Sequence, residues 1–209
     1  MKVCEIFLSI QGEGVTMGLP TTFVRLTGCN LRCKWCDTTY AYEEGSEMSI
    51  DDIMVKVKGL GCEQVCVTGG EPMCQEDVAS LVDHLIGQGY LVTLETNGSV
   101  SIESLQCSEH LMISLDVKCP SSGENEKTDF SNLELLSPND QLKFIIGDRQ
   151  DYDYAKGILD RHSPVCHVVM TPVGGADLKG LAGWVLEDKL KVRVLPQLHK
   201  LIWGDRRGI

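Results

Sequence analysis

Positive charge is scarce in this sequence. It has 19 Lys and Arg residues against 30 Asp and Glu residues, which gives a formal net charge of -11. An acidic balance of this size disfavours broad electrostatic binding to nucleic acid or to an anionic membrane. We therefore expect no direct nucleic-acid partner and no membrane partner. An anionic substrate must meet a local cationic pocket.

Long apolar runs and an export signal are also missing. No stretch is long enough to span a bilayer. The first residues, MKVCEIFLSIQGEG, lack the basic segment, the long apolar core and the cleavage site of a signal peptide. We therefore expect a cytoplasmic protein whose 10 cysteines are reduced thiols and not a disulfide framework. The length of 209 residues suits a single domain, residues 1–209.

A fourth metal ligand is absent from the most informative motif. Cys29, Cys33 and Cys36 form a C-x3-C-x2-C run, and no Cys or His follows at ordinary zinc-finger spacing. Soft sulfur ligands select an iron–sulfur cluster or another thiophilic metal. A closed structural zinc site needs four protein ligands, typically in two separated pairs. A four-iron cluster in this loop, at about residues 28–45, would leave one iron open for a substrate or cofactor.

Seven further cysteines lie outside this run, most of them in or beside apolar segments. Free cysteine in such a segment behaves as a small buried hydrophobe. Cys62, Cys66 and Cys74 can in principle form a second metal site. Their span includes a predicted strand and a Gly-Gly turn, so ordinary packing is the favoured interpretation.

After the cysteine loop, helical periodicity alternates with short β-rich runs. The pattern predicts strands over 23–26, 64–68, 90–95, 110–117, 141–146, 165–170 and 191–195, and helices over 50–60, 78–86, 102–107, 133–136, 151–161 and 178–186. Alternating units require crossover connections, which favour a parallel sheet. About six units fit, fewer than the eight of a closed barrel. The predicted fold is a partial, open parallel β/α barrel, with a doubly wound sheet as the alternative; both place sites at the carboxyl ends of the strands.

A second motif, Thr68-Gly69-Gly70-Glu71-Pro72, follows a predicted strand and precedes a predicted helix. By itself it can be only a tight turn, although its small residues let a ligand approach the backbone. Together with the three cysteines and an aromatic Trp35 before the third, it resembles the cluster and GGEP motifs of the radical S-adenosylmethionine superfamily. The resemblance implies a 4Fe-4S cluster and S-adenosylmethionine bound at Gly69, Gly70 and Glu71.

Four further segments narrow the resemblance: SIQGEG at 9–14, FVRL at 23–26, CDT at 36–38 and PQLHK at 196–200. Together they resemble the 7-carboxy-7-deazaguanine synthase family across the whole chain. The resemblance implies conversion of 6-carboxy-5,6,7,8-tetrahydropterin to 7-carboxy-7-deazaguanine with loss of ammonia, on the pathway to queuosine and related deazapurines. It implies that a 5′-deoxyadenosyl radical removes hydrogen from C6 of the pterin. It also implies an electron donor such as flavodoxin or ferredoxin, and a homodimer.

The same resemblance implies a substrate pocket and a magnesium ion. Substrate contacts are expected from Ile10, Gln11, Gly12, Arg25, Thr68 and His199. The planar fork of Arg25 suits a carboxylate, and Gln11 can donate to and accept from a pterin ring. Magnesium prefers hard oxygen ligands, so Thr38 is its expected ligand and Asp37 the competing one. The alternative for Gln11 is a solvated turn, and the alternative for Arg25 is a surface ion pair. For Asp37 and Thr38 the alternative is a turn that caps the loop.

Later strand ends should complete the pocket. S-adenosylmethionine contacts are implied at Ser114, Asp116, Lys118 and Thr171, and Glu95 and His199 are candidate acid–base groups. Ser114 is the preferred contact. The run from Ser114 to Lys118 departs from the Ser-Pro-Lys run of relatives, so a buried Asp–Lys pair stays open as the alternative for Asp116 and Lys118.

Three other functions compete with this interpretation. An activase that makes a glycyl radical on another protein uses the same cysteine spacing, but it needs a protein-docking surface and no pterin pocket. An iron–sulfur electron carrier gains nothing from a GGEP turn. A zinc-binding module needs a recruited fourth ligand.

Overall fold

The computed structural model describes residues 1–175 and 177–209. Its strands are β1 (Lys2–Ile10), β2 (Pro20–Leu26), β3 (Ser46–Glu47), β4 (Gln64–Gly69), β5 (Leu91–Thr96), β6 (Leu111–Val117), β7 (Gln141–Ile146), β8 (His167–Pro172) and β9 (Arg193–Val194). Its α-helices are α1 (Ile50–Leu60), α2 (Val78–Gly87), α3 (Arg149–His162), α4 (Leu178–Asp188) and α5 (Leu198–Trp203). Short 3-10 turns lie at Thr39–Tyr42, Pro72–Cys74, Pro120–Ser122, Asn125–Lys127 and Phe130–Leu135.

The strands form one open sheet in the order β3-β1-β2-β4-β5-β6-β7-β8-β9. From β2 to β9 all neighbours pair in parallel, whereas β1 pairs antiparallel with both β2 and β3. Because β3 and β9 lie at the two edges, the sheet does not close on itself. The predicted open, mostly parallel β/α architecture is confirmed.

Helix α1 illustrates how local sequence sets an element. The Ser49 hydroxyl accepts from the Asp52 N–H at 3.1 Å, and the Asp52 carboxylate accepts from the Ser49 N–H, so both halves of a capping box are present. At the other end Gly61 adopts a left-handed φ of 66°, which closes the helix. Ile53 and Val57, one turn apart, are fully buried against the sheet.

The core lies between the helices and the sheet. All six residues of β7 are buried, as expected for a parallel strand covered on both faces. Tyr152 of α3 and Phe144 of β7 are the largest completely buried side chains. This packing fixes the strands and therefore the positions of their carboxyl ends. None of the described helices is both long and apolar enough to cross a membrane.

Two predicted helices are wrong. Residues 102–107 contain only a short turn within irregular backbone, and the Ile102 N–H donates to the side-chain oxygen of Asn132 at 3.0 Å. Six residues are too few to nucleate a helix without tertiary support. The helix predicted over 133–136 is part of the 3-10 turn Phe130–Leu135.

The chain ends also differ from expectation. The strand predicted over 191–195 shortens to Arg193–Val194. Strand β1 and helix α5 were not anticipated, yet both border the site. His199 therefore lies in a helix and not in a terminal strand.

Candidate active site

The carboxyl ends of the parallel strands surround a cavity of about 310 Å³. Every residue that the sequence predicted for the site lines this cavity, with the exception of Thr171. Thr171 is completely buried in β8, and its hydroxyl oxygen has no hydrogen-bond partner among the described residues. The sequence motifs, which are spread over almost 190 positions, therefore converge on one place.

Strand register explains this convergence. In neighbouring parallel strands, residue partners are Arg25 and Thr68, Glu95 and Ser114, and Asp116 and Lys143. Side chains of paired residues point to the same face of a sheet. The three polar pairs consequently form a continuous row across the cavity wall.

The cysteine loop follows β2 directly. Cys29, Cys33 and Cys36 all line the cavity, and the Cys36 N–H donates to the Cys33 carbonyl at 3.2 Å. The Leu31 N–H donates to the Cys29 Sγ at 3.4 Å. Burial, together with Asp116 and the other thiols, raises the pKa of Cys33 to about 11. The Cys33 thiol thus stays protonated until a metal displaces its proton.

The donor set fits an iron–sulfur cluster. Among the described residues, no three His, Cys, Asp or Glu side chains are placed to hold a single metal ion. In a cluster of several irons, each cysteine binds a different iron, so three soft thiols spread around one loop suit that group. Cys29, Cys33 and Cys36 would hold three irons of a 4Fe-4S cluster and leave the fourth without a protein ligand.

The glycine turn after β4 packs against the cysteine loop. The Gly70 N–H donates to the Leu26 carbonyl at 3.1 Å, and the Glu71 N–H donates to the Gly28 carbonyl at 2.7 Å. Gly69 has a φ of 147°, a conformation that L side chains rarely adopt. Glycine is therefore required here for both backbone conformation and close approach.

The Glu71 carboxylate is used inside the protein. It is buried and accepts from the Met73 N–H at 3.0 Å, the Asn97 N–H at 2.6 Å and the Thr96 hydroxyl at 2.8 Å. Burial raises the pKa of Glu71, although these hydrogen bonds oppose the shift. The amide of Asn97 in turn lies 3.9 Å from the Cys29 Sγ. Glu71 thus ties the turn to the end of β5, a structural duty that the sequence did not suggest.

Asp116 and Lys118 form an ion pair at the cavity wall. The Lys118 Nζ lies 2.7 Å from the Asp116 Oδ2, and only 13% and 15% of the two side chains are exposed. Burial alone would lower the pKa of Lys118, but the Asp116 carboxylate raises it. The structure therefore contains the Asp–Lys pair that the sequence left open. Ser114 accepts a hydrogen bond from the Gln141 side chain at 2.7 Å.

Two predicted substrate residues, Arg25 and Thr68, lie at the β2 end of the same polar row. Arg25 Nε donates to the Glu5 Oε1 at 2.8 Å, and the Tyr40 hydroxyl donates to the same oxygen at 2.9 Å. Burial would lower the pKa of Arg25, but Tyr40 and Glu5 raise it, so the guanidinium stays charged. The Thr68 hydroxyl donates to the Glu95 Oε2 at 3.1 Å. Arg25 is thus held at the cavity in a largely buried ion pair with Glu5.

Helix α5 completes this wall. The Leu198 N–H donates to the Gly12 carbonyl at 2.8 Å, and a Cβ built on Gly12 would overlap the ring of His199. Next to Gly12, the buried Gln11 side chain accepts from the Glu13 N–H at 3.3 Å. Ile10 also lines the cavity. The segment after β1 and the helix near the carboxyl terminus form one surface.

Lys143, Glu13 and Gln197 form a buried polar group that the sequence did not reveal. Lys143 is ion-paired with the Glu13 Oε2, and the Gln197 amide donates to the Glu13 Oε1 at 2.7 Å. Burial alone would raise the pKa of Glu13, but Lys143 lowers it to about 2. The available signal was a single charged residue, Lys143, in a strand whose other residues after Gln141 are apolar, since lysine is almost never fully buried unless paired.

Two oxygen groups lie at the end of the cysteine loop. The Thr38 hydroxyl donates to the Asp37 Oδ1 at 2.9 Å, and the Asp37 Oδ2 lies 3.2 Å from the Lys200 Nζ. Both Thr38 and Asp37 line the cavity. A hydroxyl beside a carboxylate is a donor set that magnesium accepts together with waters.

Comparison with known proteins defines the class first. The family model described as Radical SAM superfamily matches residues 23–175, so the fold and the cysteine-lined cavity are those of a radical S-adenosylmethionine protein. The chain is 40% identical over 209 residues to the 7-carboxy-7-deazaguanine synthase of Thermoplasma acidophilum, with all of both chains covered. It belongs to the 7-carboxy-7-deazaguanine synthase family.

Two further relatives agree. The 7-carboxy-7-deazaguanine synthase of Methanospirillum hungatei is 41% identical over 206 residues, which cover 97% of this chain and 85% of that one. The crystal structure of QueE from Escherichia coli superposes with a TM-score of 0.79 over 95% of this chain and 94% of that chain, at 22% identity. The latter comparison establishes the shared fold.

Proposed function

We propose that this chain converts 6-carboxy-5,6,7,8-tetrahydropterin to 7-carboxy-7-deazaguanine and ammonia, using a 4Fe-4S cluster and S-adenosylmethionine. One observation carries the proposal: the three thiols, the glycine turn and a polar wall that includes Arg25 share a single cavity. An electron carrier or a zinc module has no use for such a wall. Family membership over the full length of the chain supports the same reaction.

The cluster and S-adenosylmethionine would be bound by different residues of the cavity. When bound, the reduced cluster supplies one electron to S-adenosylmethionine, which yields a radical able to take a hydrogen atom from C6 of the pterin. Gly69 and Gly70 offer backbone to the cofactor, and Ser114, Asp116 and Lys118 lie on the same side of the cavity. The Asp116 Oδ1 is buried and has no hydrogen-bond partner among the described residues, so it suits a donor on the ligand.

The substrate is held by charge and by hydrogen bonds. Glu5 occupies the Nε edge of Arg25, and we propose that the terminal nitrogens bind the substrate carboxylate. Gln11 and Thr68 bind the pterin ring, with backbone contacts from Ile10 and Gly12. These contacts fix C6 towards the cofactor and keep water out.

Proton transfers fall to Glu95 and His199. Loss of ammonia requires a proton on the departing nitrogen, and ring contraction requires removal of another. Glu95, in β5, is held by the Thr68 hydroxyl, whereas His199, in α5, lies against Gly12, so the two groups reach the cavity from different elements. Thr38, with Asp37 beside it, would hold a magnesium ion that also binds substrate oxygens.

We also propose an electron donor of the flavodoxin or ferredoxin type, a homodimer and a cytoplasmic location. The reaction needs one electron from outside the chain, and reduced thiols fit a reducing compartment. Sedimentation velocity at micromolar concentration tests the dimer, since a single 23.0 kDa species would contradict it. Reduction of the cluster by reduced flavodoxin, followed by optical spectroscopy, tests the donor.

The proposed reaction is tested by anaerobic reconstitution with iron and sulfide. The protein is then incubated with reductant, S-adenosylmethionine, magnesium and 6-carboxy-5,6,7,8-tetrahydropterin. We expect 7-carboxy-7-deazaguanine and ammonia in equal amounts, identified by mass spectrometry, and no product from the Cys33→Ala variant. Slow cleavage of S-adenosylmethionine without any deazaguanine would contradict the proposed substrate.

A further inference from the structure

A chain of hydrogen bonds leads from the cysteine loop to the buried start of α3. The Trp35 Nε1–H donates to the Ser121 Oγ at 3.3 Å, and the Ser121 hydroxyl donates to the Asp151 Oδ2. Because an indole nitrogen can only donate and an ionised carboxylate can only accept, the direction of both bonds is fixed. Hydrogen bonds aligned in this way polarise one another and strengthen the chain.

Asp151 is fully enclosed. Its exposed fraction is 0%, and it accepts from the Ser121 N–H at 2.8 Å and the Gly147 N–H at 2.7 Å as well as from the Ser121 hydroxyl. It is not needed as the N-cap of α3, because Asp148 caps that helix by accepting from the Asp151 N–H. Its place in the first turn lets the helix dipole stabilise the carboxylate.

Packing around Asp151 leaves no room for movement. A Cβ built on Gly147 would lie 2.7 Å from the Ser121 Oγ and 3.1 Å from the Asp151 Oδ2. Glycine at this position therefore lets the strand end approach the serine and the carboxylate. The side chains of Ser121 and Asp151 are thus held in one arrangement.

The same segment, residues 119–124, holds the backbone of the cysteine loop. The Lys34 N–H donates to the Ser122 carbonyl at 3.0 Å, and the Arg32 N–H donates to the Glu124 Oε1 at 2.8 Å. Trp35 is the loop residue that this segment holds by its side chain. It lies between Cys33 and Cys36 and lines the cavity.

We propose that Asp151 is a positioning residue for the cluster: through the Ser121 hydroxyl it fixes the indole of Trp35 and, with it, the loop that carries Cys33 and Cys36. Asp151 itself does not line the cavity. It acts as an outer-shell partner, of the kind that orients ligands around a metal centre. The inference rests on the proposed cluster site.

The test measures how fast the reconstituted cluster releases iron to ferrozine under anaerobic conditions. Ser121→Ala removes the hydroxyl but keeps the backbone N–H that Asp151 accepts. Outer-shell substitutions typically weaken metal sites by about 10- to 100-fold, so we expect release at least about tenfold faster than wild type. Asp151→Asn should have a similar effect, and Ser121→Ala remains informative if Asp151→Asn does not fold.

The matched control is Ser131→Ala. Ser131 donates to Asp129 through both its backbone N–H, at 3.0 Å, and its hydroxyl, at 2.6 Å, which repeats the two donor bonds of Ser121 at an exposed position that does not line the cavity. Because the Ser131 hydroxyl is exposed, Ser131→Ala should cost the apoprotein no more stability than Ser121→Ala. Iron release should change in Ser121→Ala and not in Ser131→Ala.

A double variant at Ser121 and Trp35 distinguishes a positioning role of Ser121 from a general loss of stability. Trp35→Phe removes the indole N–H, so it should accelerate iron release, and adding Ser121→Ala to it should change the rate by less than about twofold. The electron paramagnetic resonance spectrum of the reduced cluster with S-adenosylmethionine should shift in both single variants. The inference would be overturned if Ser121→Ala released iron at the wild-type rate. It would also be overturned if the effects of Ser121→Ala and Trp35→Phe on the rate of iron release were fully additive. Failure of the wild-type protein to retain any cluster would instead overturn the proposed function.

Discussion

Gly70 and Gly28 lie so close together that a Cβ on Gly70 would overlap the carbonyl oxygen of Gly28. The same Cβ would lie 2.9 Å from the Cβ of Cys29. Because the next residue, Glu71, also donates its N–H to Gly28, the glycine turn and the cysteine loop form one backbone unit. Their separation is set by the absence of a side chain at position 70.

A methyl group at this contact should therefore damage the site. Gly70→Ala must push the turn away from the cysteine loop, and a displacement of about 1 Å near reacting groups can cost about 100-fold in rate. We expect reductive cleavage of S-adenosylmethionine to fall by about that factor, measured by chromatography of the nucleoside products. Gly59→Ala is the control, because a Cβ on Gly59 in α1 meets nothing within 4 Å. Wild-type cleavage by Gly70→Ala would contradict the close contact.

Substitution of Glu71 should lower the stability of the folded protein. In Glu71→Gln, one of the donors from Met73, Thr96 and Asn97 faces an amide NH2 instead of an oxygen, and a buried unsatisfied group costs about 1–3 kcal/mol. Urea unfolding of the apoprotein measures this loss. The exposed Glu76, five positions along, provides Glu76→Gln as a control with no expected change. Equal stability of the two variants would rule out the buried role of Glu71.

The guanidinium of Arg25 at the cavity wall predicts an effect of its substitution on substrate binding. Arg25→Lys keeps the charge but loses the planar fork, so it cannot bind a carboxylate through two parallel hydrogen bonds. We expect the KM for the pterin to rise by about tenfold or more, with a smaller change in kcat, because a charge-assisted hydrogen bond contributes about 1.5–3 kcal/mol. Steady-state kinetics measure both constants. Arg149→Lys, in an exposed pair with Asp153, should leave the KM unchanged.

The Glu13–Lys143 pair predicts a pH dependence of stability. The pKa of the Glu13 carboxyl is about 2 in the folded chain, compared with its ordinary value of 4.5, because the attraction of Lys143 outweighs the effect of burial. Its contribution is therefore complete above pH 4.5 and is lost as the pH falls towards 2. Over that window one proton taken up on unfolding gives a slope of about 1.4 kcal/mol per pH unit.

Urea unfolding of the apoprotein at several pH values between 5 and 3 measures this slope. Glu13→Gln should be less stable at neutral pH, since Lys143 stays buried without its partner, yet its stability should fall less steeply with acid. If that variant does not fold, Glu13→Gln combined with Lys143→Met removes both charges. Identical slopes in wild type and variant would contradict the ion pair.

Much of the fold was predictable because its signals are local. The capping box at Ser49 and Asp52 and the glycine after α1 act within a few residues of the elements they define. The segment 102–107, expected as a helix, is instead anchored at its start by Asn132, thirty positions later, which accepts from the Ile102 N–H. No local pattern contains that contact.

In the site too, the features set by local sequence were predictable and those set by distant contacts were not. Cysteine spacing and the glycine turn are local motifs, and the residues they indicated do line the cavity. Lys143 was missed because the other residues of β7 after Gln141 are apolar. Strand register places its side chain beside Asp116, and a tertiary contact brings it to Glu13 in the segment after β1. The link from Asp151 to Trp35 crosses 116 positions and depends wholly on tertiary packing.

We propose that the cysteine-lined cavity brings S-adenosylmethionine to C6 of the pterin. Substrate carrying deuterium at C6 is supplied to the reconstituted protein, and the recovered S-adenosylmethionine and 5′-deoxyadenosine are analysed by mass spectrometry. We expect deuterium in the adenosyl group, together with 7-carboxy-7-deazaguanine. Deazaguanine formed while all adenosyl products remain free of deuterium would contradict the proposal.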